Sequence, residues 1–287
     1  MSIDKLQKAI RKLKSPLMVA FSADFSQIPP SYRDSSQLAD YVRYTKDLLV
    51  ALKETVPAVR FDFGSFAVCG EEGVATLSEL LRFADAQGYY VLLDAPEVFS
   101  PRQAELVAKG LCEHWCFDGL LLPCYMGTDT LKPFVQCIKE SDKDIFVTLR
   151  TPNKSASELQ DLLTGGRLVH TAAADMAKRL GEGVVDRCGY SRVAGVGPAT
   201  STDVLQNLRK KYANLFLLVD GLDYPGANAK NCAEAFDQLG HGAIACASTY
   251  VTGAWRDPNS VREKPVVLAT NAAERLKKNL NRYVTIL

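Results

Sequence analysis

The sequence predicts an α/β fold, a (β/α)8 TIM barrel forming a single domain over residues 1–287. Three observations carry this reading. Eight short apolar runs recur along the chain, and each is followed by a stretch whose apolar residues repeat with the 3.6-residue period of a helix. The runs are continuously apolar, as strands buried on both faces must be, and crossover helices between such strands imply a parallel sheet. The chain has 287 residues and no second zone of composition, which favours closure of eight repeats into one barrel over a doubly wound open sheet.

In chain order, an N-terminal helix is expected at about 3–14. Its basic run KAIRKLK (8–14) alternates with apolar residues at helical spacing and reads as a solvated helix face. The strands are LMVAFSA (17–23), AVRFDFG (58–64), YYVLLDA (89–95), FDGLLLPC (117–124), DIFVTLR (144–150), RVAGVGP (192–198), LFLLVDG (215–221) and GAIACAS (242–248). Helical patterns fill 36–54, 75–87, 101–115 and 228–240, and a C-terminal helix is expected at about 262–281. Ser36, Ser100 before Pro101, and Ser201 or Thr202 stand where N-caps belong, and Gly88 stands where a C′ glycine ends a helix. The segment 154–191 is too long for one crossover, so two helices are expected, near 155–164 and 167–182, with Gly165-Gly166 between them.

Apolar residues make up 47% of the chain and charged residues 23%, enough for a large core. Lys plus Arg number 34 against 33 Asp plus Glu, so no overall field draws nucleic acid or an anionic membrane, and neither is an expected partner. Eight scattered cysteines without a C-x-x-C pair suggest reduced, buried thiols rather than a disulfide framework or zinc site. MSIDKLQKAI has no apolar signal region, and no stretch approaches the roughly 18 to 20 apolar residues of a membrane span; a cytoplasmic protein is expected.

A barrel binds its ligand where the strands run out into their C-terminal loops. Those ends carry Ser22 and Asp24, Arg60 and Asp62, Asp94 and Glu97, Arg150 to Asn153, Asp220 and Asp223, and Ser248 to Tyr250. Arg60 with Asp62 or Asp94 reads first as a satisfied ion-pair network; the sharper reading takes Asp62, Asp94 and Asp220 as carboxylates that converge on Mg²⁺ or share a proton. Spacing does not choose between these, so no metal and no cofactor is assigned. There is no G-x-S-x-G elbow, P-loop or H-E-x-x-H helix, and His114, His170 and His241 read as surface or packing residues. The turn-rich GLDYPG (221–226) could offer backbone N–H groups to a phosphate.

Four phrases, YMGTDTLKPFVQC (125–137), IFVTLRTPNKSASELQDL (145–162), GYSRVAGVGPATSTDVLQNLR (189–209) and LFLLVDGLDYPGA (215–227), give the chain a resemblance to the orotidine 5′-monophosphate decarboxylase family in its longer bacterial form. The similarity runs from Ser15-Pro16 to about Trp255. It implies the barrel, a carboxy-lyase lineage in pyrimidine biosynthesis, a nucleotide or other phosphorylated metabolite as small-molecule ligand, and a homodimer with the two mouths near the interface. Thr151, Asn153, Asp220 and Gly226 fall on positions of the family's binding loops.

The catalytic positions depart from the pattern. The family's third strand ends in Asp, then Lys two residues on, then Asp three further; Asp94 matches the first, but the others are Pro96 and Phe99. The Lys ending strand two is matched by Arg60, and the substrate-binding Asp ending strand one by Ser22, with Asp24 nearby as a compensating carboxylate. The Gln of the phosphate loop falls near Pro225, and the phosphate-gripping Arg at Thr249. Decarboxylation would leave a carbanion at pyrimidine C6 that needs an ammonium to stabilise and protonate it; proline has no such group, and a guanidinium is a poor proton donor near neutral pH. The expectation is a diverged barrel without orotidylate decarboxylation that binds a different ligand or partner. The alternative is an active enzyme using a rearranged Arg60, Asp62 and Asp94.

Overall fold

The computed structural model describes residues 2–258 and 263–287. The eight apolar runs form eight parallel strands: β1 (Leu17–Phe21), β2 (Ala58–Asp62), β3 (Tyr90–Asp94), β4 (Gly119–Pro123), β5 (Asp144–Thr148), β6 (Val193–Pro198), β7 (Leu217–Asp220) and β8 (Ala243–Ala247). They pair in sequence order and β8 pairs back onto β1, closing the barrel. Register aligns the strand ends that matter: Asp62 lies beside Asp94 across β2 and β3, and Pro198 beside Asp220 across β6 and β7.

Helices α1 (Ser2–Leu13), α2 (Gln37–Leu52), α3 (Gly70–Ala86), α4 (Pro101–His114), α5 (Thr128–Glu140), α6 (Val169–Leu180), α7 (Thr202–Lys211) and α8 (Pro265–Asn281) accompany the barrel. The expected start of α8 at 262 lies outside the described residues. The Oγ atoms of Ser36, Ser100 and Ser201 accept the N–H groups of Ala39, Gln103 and Val204 and so cap α2, α4 and α7. Helix α1 buries Ile3, Leu6 and Ile10 across the N-terminal end of the barrel. There Gln7 accepts the Gly242 N–H, Asp4 accepts the Cys188 N–H, and Ser2 donates to the Asp118 carbonyl. Each of these partners precedes a strand, so α1 closes the bottom and leaves the C-terminal mouth as the open end. No helix among the described residues is long and apolar enough to cross a membrane.

Three expectations are corrected. The segment 155–164 is a 3-10 turn (Lys154–Glu158) followed by a two-stranded hairpin, Leu163–Thr164 with Arg167–Leu168. Gly165 and Gly166 both take positive φ (55° and 78°), so they make a hairpin turn where a break between two helices was expected. The pattern at 228–240 yields only Ala229–Ala233 as helix. Asp237 then accepts the Leu239 and His241 N–H groups and fixes a tight turn at Gly240. Thirdly, Cys112 and Cys137 form a disulfide, Cα to Cα 6.6 Å, because α4 packs on α5; the other six cysteines are free.

Candidate active site

Along β2 the side-chain period of two puts Arg60 and Asp62 on the same, inward side of the strand, with Phe61 between them in the packed layer. Arg60 reaches across the barrel mouth. Its Nε and Nη2 donate to the two Asp94 oxygens at 2.7 and 2.6 Å, and its Nη1 donates to Asp220 Oδ1 at 2.9 Å. The guanidinium fork therefore ties β2 to both β3 and β7. The Arg60 and Asp94 side chains are 16% and 18% exposed, so this is a largely desolvated pair. Burial works against the Arg60 charge, but the carboxylates of Asp94 and Asp220 outweigh it and hold the guanidinium well above its ordinary range. Burial pushes the Asp94 carboxyl up, and the guanidinium pulls it back.

Asp62 does not join this triad. Its Oδ1 accepts the Gly64 N–H at 3.0 Å and caps the short helix Phe63–Ala67. It still faces the mouth, a cavity of about 260 Å³ whose charged lining is Arg60 with Asp62, Asp94, Asp220 and Asp223, and which also takes in Ser22 and Cys246. One guanidinium stands against four carboxylates, and no lysine is among the described residues lining it. Among the described residues, no cluster of three or more His, Cys, Asp or Glu is arranged to hold a metal ion.

The other residues singled out from sequence go elsewhere. Asp24 accepts the Ser26 N–H and the Gln27 Nε2 at 2.9 and 2.8 Å. Burial raises its carboxyl, but these bonds prevail and it sits below its ordinary value. Asp24 and Thr249 line a separate cavity of about 160 Å³ between β1 and α2, so of this set only Ser22 borders both spaces. Thr151 donates to Asn153 Oδ1 at 2.6 Å and its N–H goes to Gln160 Oε1 at 2.8 Å, so this phrase folds upon itself. Arg150 forks onto Asp161 at 3.0 and 2.8 Å, with the buried His170 Nδ1 3.2 Å from the same carboxylate. Gly226 takes φ +91° in the turn after β7, where its carbonyl accepts from Asn231. Past β3, Phe99 stands 68% exposed.

Sequence reasoning placed Asp223 and Ser248 among the strand ends but gave neither a role. Asp223 crosses from the loop after β7 to the end of β8, where its two oxygens accept the Ser248 N–H at 2.5 Å and the Tyr250 N–H at 3.2 Å. No motif announces this; the only signal was an acidic residue three positions past Asp220 in a turn-rich loop.

No family model matches the chain. It is 29% identical over 261 residues to an orotidine 5′-phosphate decarboxylase of Rhodopirellula baltica, covering 86% of each chain. A second, from Clostridium kluyveri, is 26% identical over 260 residues, covering 89% of each. The solved structure of Leishmania donovani OMP decarboxylase superposes with a TM-score of 0.75 at 27% identity, covering 99% of this chain and 98% of that one.

Proposed function

We infer that this chain, similar over most of its length to orotidine 5′-phosphate decarboxylases, keeps their (β/α)8 barrel but has lost orotidylate decarboxylation and takes a different small-molecule ligand at its mouth. The single observation that carries this reading is the Arg60 triad. Among the described residues, the one cation facing the cavity is a guanidinium held by three hydrogen bonds to two carboxylates. It cannot swing to a reacting carbon, and it does not release a proton near neutral pH.

Removing a single preorganised electrostatic donor typically costs on the order of 10²–10³-fold in rate. Here proline stands at the position of the lysine donor and phenylalanine at that of the second aspartate. The four carboxylates around the cavity also repel a substrate that itself carries a carboxylate and a phosphate. The test is an absorbance assay of orotidylate decarboxylation at micromolar enzyme. No turnover above the uncatalysed rate supports the reading, and measurable turnover restores the second one, an active decarboxylase, which the names of the relatives favour.

The same reading includes a homodimer. Val68, Phe99 and Met126 follow β2, β3 and β4 on the mouth side and are exposed, Val68 at 86%. Apolar residues of that size on neighbouring loops suit a packed interface better than solvent. Dimer mass in light scattering at micromolar concentration supports this, and a monomer contradicts it.

A further inference from the structure

We propose that Asp223 is a resident anion occupying the backbone N–H groups at the end of β8, and that it sets the mouth's specificity against phosphomonoesters. The inference rests on the proposed function and narrows it, from a different ligand to one without a terminal phosphate.

The geometry is built rather than incidental. Gly221 takes φ +82°, and a Cβ there would meet Pro152 at 2.6 Å, so the chain leaves β7 through a turn only glycine permits. The Leu222 N–H then bonds the Cys246 carbonyl at 3.1 Å, and the Tyr224 N–H bonds Gly221. With the loop pinned to β8 on one side and turned back on the other, Asp223 points at the strand end. Its Oδ2 takes the Ser248 N–H and its Oδ1 the Tyr250 N–H. Two oxygens of one anion bridging two backbone donors is the pattern by which a loop holds a phosphate, and here the anion belongs to the chain.

The consequence is both steric and electrostatic. A phosphate needs the donors that Asp223 already uses, and it would have to sit beside that carboxylate with Asp220 on the same rim. The resemblance places a phosphate-gripping arginine at Thr249, so no cation at that position offsets the repulsion. One pair of unit charges about 4 Å apart near a protein surface costs on the order of 10³-fold in affinity.

The experiment titrates inorganic phosphate and uridylate into the wild-type protein, Asp223→Gly and Asp223→Asn by calorimetry, with circular dichroism and urea unfolding as the check of fold. The Gly variant removes the occupant; the Asn variant keeps an acceptor for one N–H and removes the charge, and it decides the matter if the Gly variant does not fold. Expected is no heat of binding in the wild type at millimolar phosphate, and at least a tenfold gain in the variants that weakens with added salt. Millimolar or tighter phosphate binding by the wild type overturns the proposal, as do folded variants that gain nothing. Orotidylate turnover by the wild type overturns this inference and the proposed function together, whereas silent variants without turnover overturn this inference alone.

Discussion

Removing the guanidinium by Arg60→Leu leaves Asp94 and Asp220 without their shared cation, with side chains only 18% and 26% exposed. Breaking a buried pair from one side typically costs about 3–5 kcal/mol, because the remaining charge stays desolvated and unpaired. The upper part of that range is expected, since three hydrogen bonds are lost and two carboxylates are left facing each other. Urea unfolding followed by tryptophan fluorescence measures it at pH 8 and again at pH 5. The sign with pH is fixed by Asp94: burial already lifts its folded carboxyl above the unfolded value, and loss of Arg60 lifts it further. The penalty is therefore full above the folded pKa and relieved as pH falls through it, so the variant is less impaired at pH 5. Replacing all three members, Arg60→Leu with Asp94→Leu and Asp220→Leu, returns to within about 1–2 kcal/mol of the wild type, as buried ion-pair clusters replaced by apolar residues do. A single-variant loss below about 1 kcal/mol at both pH values would refute the reasoning.

At the bottom of the barrel, Asp144 is fully buried, accepts from Tyr90 at 2.8 Å, and is pushed up to about 7 by burial. Between pH 4 and 7 the native state holds a proton that the unfolded chain lacks, so its contribution rises by about 2 kcal/mol on going from pH 8 to 5; an Asp144→Asn protein with the same pH profile as the wild type contradicts this. Counting thiols in denaturant gives six of the eight cysteines, and Cys112→Ser lowers stability by roughly 2–4 kcal/mol for the 25-residue span it opens; eight free thiols mean no bond forms. Phe99→Asp shifts light-scattering mass from dimer toward monomer without changing the subunit's own unfolding free energy by more than about 0.5 kcal/mol, and an unchanged dimer moves the interface away from this loop.

All eight strands were legible because a strand buried on both faces writes itself as an apolar run, and the caps at Ser36, Ser100 and Ser201 because a capping hydroxyl acts within three residues. What stayed hidden depends on contacts between distant positions. Gly165-Gly166 serves a linker or a hairpin equally until the φ values are known. Cys112 and Cys137 pair across two helices from 25 residues apart, with no motif in the sequence to link them. At the mouth, period two put Arg60 and Asp62 on one side of β2, but spacing could not tell that Asp62 caps a helix while Asp94 and Asp220 take the guanidinium. Asp24 is close to Ser22 in sequence, yet its bonds to Ser26 and Gln27 turn it into the neighbouring cavity.

The most direct test of the central claim is calorimetric titration of the wild-type protein with orotidylate and uridylate, with carbon dioxide release followed in the same orotidylate sample. The account predicts neither binding heat nor release, because the only cation facing the cavity among the described residues is already held by Asp94 and Asp220. Tight orotidylate binding accompanied by carbon dioxide release would contradict it and show that this mouth decarboxylates without a lysine at position 60 or 96.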